Sequence, residues 1–66
     1  MQGKVRTFNE RTGLGLILFD LIEFPFSLSD CEGSVILRRG DEVRFNLQDR
    51  DGEARAFDVR LDWGVS

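Results

Sequence analysis

Hydrophobic and polar residues alternate along five short stretches of this 66-residue chain. The stretches cover residues 2–9, 13–19, 21–27, 42–48 and 54–62. A period of two is typical of β-strands with one buried face, and almost no helical periodicity is present. Residues 28–40 have turn-rich composition. The pattern therefore predicts an all-β domain of five strands, with one long connection between the third and the fourth.

The alternation also predicts which side chains face the core. In the first stretch Val5 points inward, and a bulge partway along would leave Phe8 either in the core or on the surface. In the second, Ile17 points inward and Leu14 and Leu16 point outward. The fourth stretch has an inward face made of Val43, Phe45 and Leu47, and the fifth has Phe57, Val59 and Leu61 on one face, with its other residues less strictly sorted.

Glycine and proline interrupt two of the stretches. Glycine inside a strand marks a bend, a bulge or the close approach of another backbone, and Gly13 and Gly15 would permit the coiling that a small barrel needs. Pro25 lies inside the third stretch. Because proline has no N–H to donate, the third strand is expected to hold it at a sheet edge or at a bulge.

Two motifs near the start of the chain resemble the cold-shock domain family, whose members are five-stranded barrels that bind single-stranded nucleic acid. The family pattern G-K-V-K-W-F-N corresponds to residues 3–9, and K-G-F-G-F-I corresponds to residues 12–17. A later motif, L-x-x-G-x-x-V, corresponds to residues 37–43. The resemblance implies a single domain over residues 1–66, folded as a small five-stranded antiparallel Greek-key barrel, an OB-fold of the cold-shock type. It also implies a short helical turn early in the long connection.

Several side chains that stack on bases in the family are replaced here. Thr7 stands where the family has tryptophan, and Leu14 and Leu16 stand where it has phenylalanine. In the family motif V-F-V-H-F, Glu23 replaces the phenylalanine and Pro25 the histidine. Stacking of one base on an aromatic ring is worth roughly 1–3 kcal/mol, so these replacements are expected to lower the affinity by several orders of magnitude.

The resemblance thus implies weak binding of single-stranded RNA or DNA, in the millimolar or high-micromolar range, with a preference for pyrimidine-rich strands. Phe26 is the aromatic residue of the third strand that survives, and Lys4 and Arg44 would add positive charge. The predicted nucleic-acid interface consists of Lys4, Arg6, Phe8, Asn9, Leu14, Leu16, Phe26 and Arg44.

A protein-interaction domain is the alternative interpretation. Leu14 and Leu16 turn the outward face aliphatic, and an exposed contiguous apolar patch commonly marks a protein interface. These leucines would contact a partner protein or a second copy of the chain, or the long connection of the same chain would cover them. Trp63, beyond the family pattern, would either cap the barrel or contact a second chain.

The charge of the chain does not by itself favour nucleic acid. Nine basic and twelve acidic residues give a net charge of −3, which attracts no phosphate over a long range. Arg6 and Arg44 also have a second role open to them, as exposed cross-strand ion pairs with glutamates such as Glu23, each worth about 0.2–1 kcal/mol. Arg38 and Arg39 are expected in a solvated turn.

An enzyme is not expected from this composition. The chain has no histidine, a single cysteine, Cys31, and neither a G-x-S-x-G motif nor a phosphate loop. A lone cysteine forms no internal disulfide, and the sequence shows neither a signal peptide nor an apolar run near the ~20 residues of a membrane span. We expect a cytoplasmic protein without cofactors, metal or membrane contact.

Overall fold

The computed structural model describes residues 1–33 and 36–62, so the predicted roles of Trp63 lie outside the described residues. The strands are β1 (Gln2–Asn9), β2 (Leu14–Phe19), β3 (Ile22–Ser27), β4 (Glu42–Arg50) and β5 (Glu53–Leu61). A short 3-10 turn, Leu28–Asp30, follows β3. The prediction of five strands and of an early helical turn in the long connection is confirmed, and each strand boundary lies within two residues of its predicted place.

The five strands form one antiparallel sheet of order β3-β2-β1-β4-β5. The long connection returns the chain so that β4 pairs with β1, which is the Greek-key arrangement. The sheet curls into a small OB-like, barrel-like fold, as predicted. No ladder joins β3 to β5 within residues 1–33 and 36–62, but Cys31 forms a parallel bridge with Val59 at the outer edge of β5.

The core lies inside the curled sheet and receives side chains from every strand. Its buried residues are Val5, Ile17, Phe26, Leu37, Val43, Phe45, Ala56 and Val59. The inward orientations predicted for Val5, Ile17, Val43 and Phe45 are confirmed. Leu37, the first residue of the L-x-x-G-x-x-V motif, is buried although it lies in the connection. Over the described part of the chain, the core contains no buried polar or charged side chain.

A bulge at Arg6 decides where Phe8 lies. The extra residue shifts the register, so that Phe8 pairs with Gly15 of β2, which in turn pairs with Phe26 of β3. Because Gly15 has no side chain, the rings of Phe8 and Phe26 stack across β2, with centroids 5.8 Å apart. A Cβ on Gly15 would lie 2.7 Å from the ring of Phe26 and 2.6 Å from a backbone oxygen. The close approach that the sequence suggested at Gly15 is confirmed.

A second bulge makes one orientation predicted for β5 wrong. The register between β4 and β5 shifts at Asp58, whose φ of 54° lies in the left-handed region. Ala56 and Val59 are therefore both buried. Phe57, predicted to share the inward face of Val59, is half-buried outside the core cluster.

The free edge of β3 is poorly suited to pairing with another strand. Pro25 lies in this edge strand, as expected for a residue without an N–H. The N–H of Leu28 donates to Gly13, the residue just before β2, so the N–H of Ser27 points the other way. There it donates to the carboxylate of Asp30 at 2.9 Å. Pro25 and Ser27 therefore offer no free backbone N–H to an added strand along this edge.

Candidate nucleic-acid interface

The outward side chains of β1, β2 and β3 form three rows across the sheet. Directly opposed residues of antiparallel strands point to the same side, so the register defines the rows. The rows are Lys4–Leu18–Glu23, Thr7–Leu16–Pro25 and Asn9–Leu14–Ser27. We call these nine residues the outer face, and we call Leu14, Leu16 and Leu18, which follow one another along β2, the leucine stripe.

The leucine stripe is accessible to a ligand at one end in particular. Leu14 is 57% exposed, whereas Leu16 and Leu18 are half-buried. Beside it lies a shallow, open depression of about 360 Å³ lined by Thr7, Leu14, Gly15, Leu16, Pro25, Phe26 and Arg55. The outward orientation predicted for Leu14 and Leu16 is confirmed.

One ion pair crosses the outer face. The Nε of Arg6 lies 3.2 Å from an Oε of Glu23, and both side chains are about half exposed, at 48% and 45%. Arg6 belongs to β1 and Glu23 to β3, so the pair spans β2, which lies between them. The cross-strand pair that the sequence suggested for Arg6 is confirmed, and its cation is already partly neutralised.

Asn9 uses its side chain to build the turn after β1. Its Oδ1 accepts the backbone N–H of Arg11 at 2.9 Å and that of Thr12 at 3.3 Å. This Asx-type turn needs a short side chain with an acceptor, which asparagine provides. Gly13, with φ of 73°, completes the turn. The asparagine of the motif therefore has a structural role that is independent of any ligand.

The aromatic residues of the predicted interface lie on the inner side of the sheet. Phe26 is only 1% exposed, so the expectation that it remains available as a stacking ring is wrong. The physical reason is its register opposite Gly15, which directs the ring into the core. Phe8 is half-buried and packs on Phe26 from the same side. None of the nine outer-face residues is aromatic.

Arg44 is not brought to the outer face. It lies in β4 opposite Gln2, on the far side of β1 from the leucine stripe. Its guanidinium is 3.7 Å from the carboxylate of Asp62, so its cross-strand partner is not a glutamate. Arg44 therefore lies one strand farther from the leucine stripe than Lys4 and Arg6, although it is a diagonal neighbour of Lys4 across β1 and β4.

Arg38 and Arg39 lie in an exposed turn, as predicted, and this turn adjoins β1. The backbone of Val5 bonds to Gly40 and Asp41 at 2.8 Å each, and this fixes the end of the long connection against the strand. Arg38 and Arg39 immediately precede these residues and are exposed. No local sequence signal indicates this contact, because it joins segments about 35 residues apart. We call the resulting group of cations the basic border; it consists of Lys4, Arg6, Arg38 and Arg39.

Arg55 of β5 is a further cation near the site that the sequence did not indicate. It reaches the rim of the depression beside the leucine stripe. One of its guanidinium nitrogens lies 3.6 Å from a carboxylate oxygen of Asp30, and both side chains are half-buried. Its position depends on the curling of the sheet, which brings β5 towards β3.

The remaining reactive groups give little chemistry. Burial, and to a smaller extent the charge of Asp30, raises the pKa of the Cys31 thiol, which keeps it protonated and weakly nucleophilic at neutral pH. In the described part of the chain, no three histidine, cysteine, aspartate or glutamate residues are grouped so that they could hold a metal ion. None of its helical segments is long and apolar enough to cross a bilayer.

Comparison with models of known protein families gave no match, and comparison with curated proteins gave none either. The cold-shock resemblance stays a prediction that rests on residues 3–9, 12–17 and 37–43. The structure supplies a physical reason for some of the backbone and core positions in these motifs, notably the contact at Gly15, the turn at Asn9 and the burial of Leu37.

Proposed function

We propose that this protein binds single-stranded RNA or DNA weakly through its outer face, as a cold-shock-like domain with a reduced stacking surface. The observation that supports this most is the basic border, in which Lys4 and Arg6 lie on β1 directly beside the leucine stripe, in a protein whose net charge is −3. A local group of cations in a protein of net negative charge can follow a phosphate backbone, while the neighbouring apolar surface contacts the bases.

The chemistry of the outer face accounts for a low affinity. Leucine offers apolar contact to a base but no ring on which the base can stack. Arg55, at the rim of the depression, has a planar guanidinium that can lie against a base, although Asp30 already holds part of it. Glu23 repels phosphate and neutralises Arg6. We therefore expect dissociation constants in the high-micromolar to millimolar range.

The test is a titration of the ¹⁵N-labelled protein with a short oligothymidine at two salt concentrations. We expect amide shifts in β1, in β2 and around residues 38–40, and an affinity that falls as salt rises, with a logarithmic slope of about −0.7 for each phosphate contact on a single strand. Nanomolar binding would contradict the reduced stacking surface. A protein without any shift at millimolar oligonucleotide would contradict binding itself.

A pair of variants ties the binding to the basic border. Replacing Arg38 and Arg39 together by glutamine should weaken oligothymidine binding and make the salt dependence shallower. The matched control is Arg50→Gln, an exposed arginine at the end of β4. If the control lowers the affinity as much per charge as the double variant, the basic border is not the contact surface.

A protein-interaction domain is the second candidate, and one observation favours it. Leu14 is 57% exposed at one end of the leucine stripe, and Leu16 and Leu18 continue the stripe along β2. An apolar row of this kind gives no contact to phosphate groups and is typical of a protein interface. Sedimentation at high protein concentration tests for self-association. A strictly monomeric protein whose partner binding is unchanged by Leu14→Asp would count against this candidate.

A further inference from the structure

We propose that the outer face of one molecule packs against the outer face of a second copy, around a two-fold axis that runs along β2. This inference rests on the protein-interaction candidate and gives it a specific partner. It does not depend on nucleic-acid binding.

The symmetry follows from the position of β2 between β1 and β3. A two-fold axis in the plane of the interface, parallel to β2, brings the leucine stripe of one copy onto the leucine stripe of the other. The same rotation places β1 of each copy opposite β3 of its partner. Because the two surfaces are identical, every contact across such an isologous interface forms twice.

The first row has complementary charges in this arrangement. Lys4 and Glu23 flank the same residue, Leu18, so they lie at the same height along β2. After the rotation, Lys4 of each copy faces Glu23 of the partner. Arg6, which already contacts Glu23 in its own chain at 3.2 Å, adds a further cation to this group. Opposite charges therefore alternate across the interface.

The other two rows are compatible with the same axis. Leu16 and Leu14 meet their own copies on the axis, and neither row contains a charged residue. Thr7 faces Pro25, and both are compact side chains. Asn9 faces Ser27; the amide NH2 group of Asn9 can donate across the interface, since only its oxygen serves the turn. No row places like charges opposite each other.

The edge of the sheet is a less suitable contact than the face. Pro25 and the capped N–H of Ser27 block strand addition along β3, so association through the face meets less competition. Three short strands cover less than the 1,200–2,000 Å² of a standard stable interface, so we expect a weak, concentration-dependent dimer. Since the second copy and the oligonucleotide use the same face, each should exclude the other.

The decisive experiment is a charge swap followed by sedimentation equilibrium in the absence of nucleic acid. Glu23→Lys places lysine opposite lysine at both contacts, and Lys4→Glu places glutamate opposite glutamate. Each variant alone should dimerise at least roughly tenfold more weakly than the wild type. An equimolar mixture of the two should recover dimers, because each contact of the mixed dimer again joins a lysine to a glutamate.

Two further variants separate the interface from general effects. Glu53→Lys changes the net charge as Glu23→Lys does, at an exposed position at the start of β5, the edge strand that pairs with β4, and should leave the dimer unchanged. Leu14→Asp should weaken the dimer without altering the ion pairs. Circular dichroism confirms that each variant is folded.

Three results would overturn the proposal: a wild type that is monomeric at millimolar concentration, a mixture of the two charge variants that stays monomeric, or a Glu53→Lys effect equal to that of Glu23→Lys. An oligothymidine titration without binding would leave the dimer intact and overturn only the proposed nucleic-acid function. The two failures are therefore distinguishable.

Discussion

The inner and outer faces of β1, β2 and β3 come from the same three strands but differ in how strongly their residues are constrained. On the inner face, Phe8, Gly15 and Phe26 form a row in which the glycine lets two rings stack across β2. On the outer face, the adjacent row consists of Thr7, Leu16 and Pro25. The inner row tolerates almost no change of side-chain volume. In the outer row, the choice of side chain is limited only by solubility and by what binds there.

This difference explains which motif residues resemble the cold-shock family. Gly15, Phe8 and Phe26 match the family, and all three are required by packing inside the sheet. Thr7, Leu14 and Leu16, which stand in place of the family's stacking rings, all lie outside. A resemblance that rests on inner residues indicates the fold. It indicates the ligand only where the outer residues also match the family.

The largest expected effect concerns the inner glycine. Gly15→Ala should lower the free energy of unfolding by about 3 kcal/mol, because the new methyl group meets a backbone oxygen at 2.6 Å that cannot easily move. Urea denaturation followed by circular dichroism measures this. An unchanged midpoint would show that β2 can move away from Phe26, and that the inner face is less constrained than the contact distances indicate.

Phe8 tests whether the inner row also serves the ligand. Phe8→Leu should destabilise the fold by about 1 kcal/mol, through loss of the stacked ring pair. Oligothymidine affinity, measured well below the melting temperature, should stay the same. Should binding fall while stability is kept, the ring of Phe8 contacts bases and the separation between the two faces fails.

On the outer face, removal of the central carboxylate should change binding more than stability. Glu23→Gln frees Arg6 and should strengthen oligothymidine binding about threefold, with a steeper salt dependence. The free energy of unfolding should change by no more than about 0.5 kcal/mol, because the ion pair is exposed. Glu53→Gln, an exposed carboxylate at the start of β5, is the matched control. If both variants gained the same oligothymidine affinity, the change in net charge alone would explain the effect.

The smallest effect is expected at the exposed end of the leucine stripe. Leu14→Ala should alter the free energy of unfolding by less than about 0.5 kcal/mol, because its side chain is 57% exposed. Thermal denaturation at low protein concentration measures this without interference from dimers. A loss above about 1.5 kcal/mol would mean that the long connection covers Leu14 in solution, the alternative that the sequence left open.

Most of the fold was predictable because its signals are local. Alternation identified the strands, and Asp51-Gly52, both with positive φ, forms the hairpin turn between β4 and β5, as is typical of an Asp-Gly pair. The prediction for Phe57 is wrong because a bulge at Asp58 reverses the alternation of inward and outward side chains. The residues around Asp58 carry no sequence signal of a bulge. The prediction for Phe26 is wrong for another reason: its ring is buried because Phe26 pairs with Gly15, and this register between two strands is not indicated by the family resemblance.

What the sequence alone determined about this protein is the number of strands, most of their inward residues and the aliphatic character of the outward side chains on β2. These depend on the period of two and on turn chemistry, which act over a few residues. Tertiary structure alone decided the rows across β1, β2 and β3, the Arg6–Glu23 pair over β2 and the position of Arg38 and Arg39 beside β1. The physical reason is that register and bulges are set by how distant segments close around one core, and no local pattern encodes that closure.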